Sequence, residues 1–265
     1  MPERVKLFQV DAFTNHVFGG NPAAVCLLTH WLPSEVLQKI AAENFLPETA
    51  FFVPSKEGGH FDIKWFTPDI EMDLCGHATL AAAHVIFNHL NFSASTIFFN
   101  SNSGVLIVTR NGSLLTLDFP SRAPSRVDLP ESIAQGFEVH PTEVWKARDY
   151  ILVFEHEEIV KNIIPNRSVL DQINLDCGGI IITAKGSGVD FVSRFFTPQA
   201  SIFEDPVTGS AHCSLIPLWA DKIGKTKLVA LQLSARQGKL FCEHRGERVL
   251  ISGEAITYLE GHILI

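Results

Sequence analysis

Lys64-Trp65-Phe66-Thr67-Pro68 has a counterpart in Arg194-Phe195-Phe196-Thr197-Pro198. Each copy reads as a strand that stops at Phe-Thr-Pro. Six turn residues follow, then Cys75 in the first copy and Asp205 in the second, and then a helix of small residues. The first helix is predicted from Gly76 to about Leu90 and the second from Thr208 or Gly209, through Gly209-Ser210-Ala211-His212-Cys213. The first is apolar around most of its circumference, the pattern of a helix enclosed on all sides. A shared tripeptide alone would mean little, but the repeat of a whole strand–turn–helix unit predicts an α+β fold. Two pseudo-symmetric lobes are expected, each a mixed barrel-like sheet around a central buried helix, with the natural cleft at their interface.

Working outward, residues 5–13 and 22–28 alternate as strands, with Gly19-Gly20-Asn21 as the turn between them. Pro33-Ser34-Glu35 opens an amphipathic helix from Ser34 to about Asn44, with Val36, Leu37, Ile40 and Ala41 on one stripe. Strands are read at 49–53, 60–66, 96–99, 104–109 and 113–119, the last two joined by Asn111-Gly112, a strong hairpin signal. The three prolines of 120–130 mark that segment as the candidate linker. Beyond it come a strand near 149–154, a helix near 166–173, and strands near 179–184, 189–196, 228–234, 239–243, 247–251 and 255–264. Pro217 is expected to bend the second small-residue helix or end its hydrogen bonding early. The domains read as 1–119 and 130–254, with the final strand returning to the first.

Composition narrows the function. The 265 residues are 46% hydrophobic, and 20 Phe against 2 Tyr and 2 Met make a dense, dry interior. A formal charge of −8 argues against a nucleic-acid groove or another polyanionic partner. The N-terminus lacks the apolar run of a signal peptide, and no window approaches the roughly 18 apolar residues of a membrane span, so a cytoplasmic location is the default. Cys26, Cys75, Cys177, Cys213 and Cys242 are scattered and read as reduced thiols.

Glu48 stands between Phe45-Leu46 and Phe51-Phe52, a setting that desolvates a carboxylate, raises its pKa and suits it to both accept and donate a proton near neutral pH. The competing reading is a turn cap or surface ion pair. Gly76 and Gly209 open the small-residue helices, where free N–H groups and the positive dipole end can hold a carboxylate. His77 is either a substrate donor or a satisfied structural histidine. Asp205, just before Pro206, also fits a helix N-cap. Ser210 caps or donates to an oxyanion, and Cys75 is either an activated thiolate or a small buried residue. His77, His84 and His89 do not have zinc-site spacing, no C-x-x-C is present, and no glycine cluster matches a nucleotide loop.

Together these segments, DAFT (11–14), GNPAAV with Asn21, PETAFF with Glu48, WFTP, LCGHAT with Cys75 and His77, and EDPVTGSAH with Asp205 and Ser210, resemble the PhzF-like phenazine-biosynthesis proteins in order and spacing over nearly the whole chain. The resemblance implies a two-lobed fold like that of diaminopimelate epimerase, no cofactor or metal, frequent homodimers, and isomerisation by proton shuttling on a small carboxylate substrate. It implies Glu48 as the catalytic acid/base, with Asn21, His77, Asp205, Gly209 and Ser210 lining the site. Diaminopimelate epimerase and proline racemase use a thiol from each lobe. Here Cys75 matches the first thiol and Asp205 stands at the second, which disfavours a two-cysteine racemase. An epimerase pairing Cys75 with Glu48 or Asp205, and a non-catalytic binder of small acids, are the alternatives.

Overall fold

Eleven of the fourteen residues of the helix that begins at Gly76 are buried, because alanines on every face let strands approach it from all around. The computed structural model describes residues 3–176 and 178–265 and divides them into two compact units, one running up to residue 118 and resuming at 251–265, the other within 119–250. Met1, Pro2 and Cys177, the last read from sequence as a thiol, lie outside the described residues.

In chain order the elements are β1 (Arg4–Ala12), β2 (Asn21–Leu27), α1 (Ser34–Asn44), β3 (Glu48–Pro54), β4 (His60–Phe66), β5 (Glu71–Met72), α2 (Gly76–His89), β6 (Thr96–Ser101), β7 (Gly104–Asn111) and β8 (Leu114–Pro120). Then come β9 (Ser125–Arg126), α3 (Glu131–Ala134), β10 (Glu143–Lys146), β11 (Tyr150–Val153), α4 (Glu157–Asn162), α5 (Arg167–Leu170), β12 (Ile180–Lys185), β13 (Phe191–Phe196), β14 (Glu204–Asp205), α6 (Gly209–Ile223), β15 (Lys227–Gln232), β16 (Gly238–Arg245), β17 (Arg248–Gly253) and β18 (Ala255–Leu264). β18 pairs antiparallel with β1 along its length. Among the described residues no helix is long and apolar enough to cross a membrane.

The two units repeat one pairing scheme. In the first, β3 is parallel to β2 and antiparallel to β4, β4 is antiparallel to β5 and parallel to β6, and β6 turns back into β7. In the second, β12 is parallel to β11 and antiparallel to β13, β13 is antiparallel to β14 and parallel to β15, and β15 turns back into β16. This is the α+β duplication expected from the paired strand–turn–helix segments. The register corrects one equivalence, however. Trp65 pairs with Met72, whereas Phe195 pairs with Asp205. The second turn is three residues longer, since Phe66 faces Glu71 and Phe196 faces Glu204. Asp205 is therefore the partner of Met72, and the residue matching Cys75 at the helix start is Thr208.

Three further expectations change. Pro217 does not end α6 early, for the helix continues to Ile223. A proline at 217 leaves the Cys213 carbonyl without its helical donor, and the Arg122 N–H takes that carbonyl at 2.9 Å. That contact also ties the proline-rich segment 120–130 into the second unit, where β9 pairs with β10. The helix near 166–173 shrinks to the four residues of α5, and α3, α4 and β10 occupy sequence in which no motif was visible. Their apolar residues Ile133, Val144, Val160 and Leu170 join Ile180, Ile182 and Phe196 in one core cluster.

In the first unit the α1 stripe is buried at Leu37, Ile40 and Ala41 against Cys26, Phe51 and Phe66. Each large apolar side chain so enclosed contributes about 1.5–3 kcal/mol. Leu80, fully buried in α2, is among the largest of them. Leu80→Ala is expected to lower stability by about 2–5 kcal/mol in urea unfolding, and a loss under 1 kcal/mol would show that α2 is not enclosed as described.

Candidate active site

The site in the first unit is assembled by three backbone devices. Gly20 adopts a φ of +60°, and a Cβ there would lie 2.1 Å from the Ala12 carbonyl oxygen, so glycine alone permits the turn that brings Asn21 to the head of β2. Phe45, with φ 48°, closes α1 through its N–H to the Ala41 carbonyl and swings the chain into Glu48, the first residue of β3. Strand β3 then runs parallel to β2, with Glu48 beside Ala23. Finally, Cys75 sits at the N-cap of α2, which makes Gly76 and His77 its first two residues.

These devices converge on His77. Asn21 Nδ2 lies 3.1 Å and Cys75 Sγ 3.6 Å from His77 Nδ1. With an amide N–H facing Nδ1, that nitrogen is the acceptor and the ring proton belongs on Nε2. His77 is buried, and the desolvation holds its pKa down at about 3, so the ring is neutral. Nε2 is 3.1 Å from Glu48 Oε2, yet it is without a well-aligned hydrogen-bond partner among the described residues. The contact is thus a neutral imidazole close to a carboxylate and not an ion pair. Loose alignment of this kind is usual for a proton-transferring group before substrate arrives. The Glu48 side chain keeps 13% of its exposure. Its shielding differs from the expectation, because Phe51 and Phe52 are buried but Phe45 is 62% exposed and turned to solvent.

Cys26, Cys75, Cys213 and Cys242 are all buried thiols. The Glu48, Cys75 and His77 donor atoms lie within 4.8 Å of one another, a spacing able to hold a metal ion. Histidine spacing along α2 could not reveal this cluster, since its members come from the start of β3 and the start of the helix.

In the second unit, Asp205, Gly209 and Ser210 gather at the start of α6. The N-cap of α6 is Thr208 and not Asp205, because Asp205 is held in β14 by its pairing with Phe195. Thr208 Oγ1 donates to Asp205 Oδ2 at 2.5 Å. Two residues that the sequence reading passed over organise this region. Buried Gln232 accepts from the Thr208 N–H at 2.8 Å and donates to the Asp205 carbonyl at 2.7 Å. Arg148 donates from Nη2 to Ser210 Oγ at 3.1 Å, while its Nε faces Asp149 Oδ1 at 3.2 Å. Asp149 is itself buried and accepts from the Gly179 N–H. The only sequence signals were a glutamine inside an apolar strand run and an Arg-Asp pair ahead of another.

The family model for phenazine biosynthesis-like proteins matches residues 10–261. The chain belongs to the PhzF family. An uncharacterized isomerase of Pseudomonas aeruginosa is 46% identical to it over 96% of this chain and 97% of that protein. The crystal structure of a PhzF-family protein of Enterococcus faecalis superimposes with a TM-score of 0.93 at 44% identity, covering 99% of this chain and all of the other. A hydroxyproline epimerase of Agrobacterium vitis, only 7% identical, shares the fold with a TM-score of 0.67 over the whole chain. This PhzF-family protein is accordingly an enzyme of the isomerase class, built on the epimerase-type fold.

Burial also sets an acid limit on this PhzF-family protein. His77 is held at about 3 by burial, His84 at about 4 by burial and then the nearby charge of His89, and His212 at about 4 by burial, which outweighs its bond to the Thr208 carbonyl. Between about pH 6.5 and pH 4 all three take up a proton on unfolding but stay largely neutral while folded. Their contribution is present above about pH 6.5 and is lost as pH falls toward 4, at up to about 1.4 kcal/mol per pH unit for each. Urea midpoints from pH 7 to pH 4.5 are expected to fall in this way, and His77→Gln is expected to shallow the slope by about one proton. An unchanged slope would show that His77 is not buried neutral.

Proposed function

We propose that this isomerase works without a cofactor and moves a proton within a small carboxylate-bearing substrate, with Glu48 as the single acid/base. The supporting observation is a largely buried carboxylate 3.1 Å from the Nε2 of a neutral histidine. Glu48 takes a proton from an activated carbon, and the C–H electron pair passes into the conjugated acid. The resulting carboxylic acid returns the same proton to another carbon on the same face, regenerating the carboxylate. His77, which remains uncharged, presents an N–H donor beside the reacting group and does not compete for the proton.

Recognition of the substrate's carboxylate is assigned to the helix starts. Neither Cys75 nor Thr208 makes a side-chain cap bond to its helix, so the first-turn N–H groups around Gly76 and Gly209 remain for an anion, favoured by the dipoles of helices of 14 and 15 residues. Asn21 orients His77, Ser210 presents a hydroxyl already accepting from Arg148, and Asp205 steers charge and proton delivery. Homodimerisation and a cytoplasmic location belong to the same proposal.

A thiol-based epimerisation through Cys75 is the second reading, prompted by its Sγ lying 3.6 Å from His77 Nδ1. In that reading Glu48 or Asp205 takes the part of a second thiol, since the position matching Cys75 in the second unit carries Thr208.

A panel of conjugated acids and amino acids screened by thermal stabilisation supplies the substrate for the test. In deuterated solvent, Glu48→Gln is expected to bind that acid yet lose product labelling and turnover by about 10²–10⁴-fold, whereas Cys75→Ala retains most activity. Normal labelling by Glu48→Gln would remove Glu48 from the chemistry, and an inactive but folded Cys75→Ala would favour the thiol mechanism.

A further inference from the structure

Three donors of different character meet where β3 begins and α2 starts. One ligand atom each from the Glu48 carboxylate, the Cys75 thiol and the His77 imidazole lies within 4.8 Å of both others. Cys75 and His77 are 5% and 2% exposed, and the partly exposed Glu48 side chain gives an ion its way in. Buried Nε2 of His77 is without a well-aligned partner among the described residues and lies 3.1 Å from Glu48 Oε2, while Cys75 Sγ lies 3.6 Å from Nδ1 of the same ring. Sulfur and imidazole nitrogen beside one carboxylate disfavour the hard ions Mg2+ and Ca2+ and select Zn2+ or its softer relative Cd2+. Bonds of about 2.0–2.3 Å to Zn2+ place tetrahedral ligand atoms about 3.3–3.8 Å apart. Small side-chain rotations therefore bring this trio into range.

We propose that Glu48, Cys75 and His77 form a binding site for Zn2+ and Cd2+, with three protein ligands and a fourth position for water, and that the bound ion switches the enzyme off. On binding, the Cys75 thiol releases its proton to solvent and its sulfur bonds the metal. The ring proton of His77 moves from Nε2 to Nδ1, freeing Nε2 to bind. The Asn21 amide, turned so that Oδ1 faces the ring, accepts the Nδ1 proton as the outer-shell partner that a metal-bound histidine needs. Glu48 is then tied to the ion and no longer removes a substrate proton. The inhibitory role rests on the acid/base reading above, while the binding itself does not.

The test uses the full chain and the metal alone. Cd2+ is titrated in while the ultraviolet thiolate-to-metal absorption is followed, and Zn2+ is measured by competition with a coloured chelator. One equivalent is expected to bind. The band is expected to vanish in Cys75→Ser, affinity is expected to fall at least tenfold in Glu48→Gln and in His77→Gln, and Asn21→Ala is expected to lose about tenfold through the outer shell. Circular dichroism confirms that each variant is folded, and Glu48→Gln, at the most exposed ligand, keeps the test open if a buried variant is not. A missing band, or one that survives unchanged in Cys75→Ser or in Glu48→Gln, overturns the site. Turnover that persists at saturating Zn2+ overturns the inhibitory role. Because binding is read without substrate, a null titration leaves the deuterium result for Glu48→Gln standing, and the two readings fail separately.

Discussion

The first unit's chemistry depends on one histidine that burial keeps from charging. A protonated His77 would form an ordinary ion pair with Glu48 and share its proton with the carboxylate. The neutral ring, with Asn21 Nδ2 facing its Nδ1, instead presents an N–H toward the carboxylate. The arrangement follows from the helix behind it. Because α2 is enclosed by β1, β2, β3 and β18, its first turn is buried and a charged imidazole there would be poorly solvated.

The duplicated pairing scheme explains why such a helix start exists twice and why the two have diverged. A small-residue helix enclosed by a mixed sheet must begin where the strands leave room, so both units end a strand at Phe-Thr-Pro, add a two-residue bridge and enter the helix after three intervening residues. At that fixed place one copy carries Cys75, Gly76 and His77, and the other Thr208, Gly209 and Ser210. The first set brings a thiol and an imidazole to its helix start. The second carries two hydroxyls, with the Thr208 N–H held by Gln232 and the Ser210 hydroxyl by Arg148.

Much of this was legible in the sequence. Repeated apolar and small-residue patterns gave both buried helices, the long strands and the α+β class, because those elements follow from periodicity. The residues gathered at the start of α2 were also legible, since each lay in a distinctive local segment. What was not legible depended on pairing between distant segments. The extra three residues in the second turn made Asp205 look like the equal of Cys75, and only the β13–β14 register shows otherwise. Arg148 and Gln232 act across 62 and 24 residues of chain, so no local pattern could mark them. The short helices α3 to α5 rely on their shared core with Ile180 and Phe196 and not on their own propensity.

Pro217 shows how an apparent fault can serve as a fastening. By withholding one N–H, it exposes a carbonyl on the side of α6, and the chain leaving β8 uses Arg122 to occupy it. The path of that strap and the identity of a residue almost a hundred positions downstream are therefore coupled. An unbroken helix at 217 would keep the carbonyl for itself and leave the strap to its other moorings, the Ser121 N–H on the Glu247 carbonyl and the β9–β10 pairing.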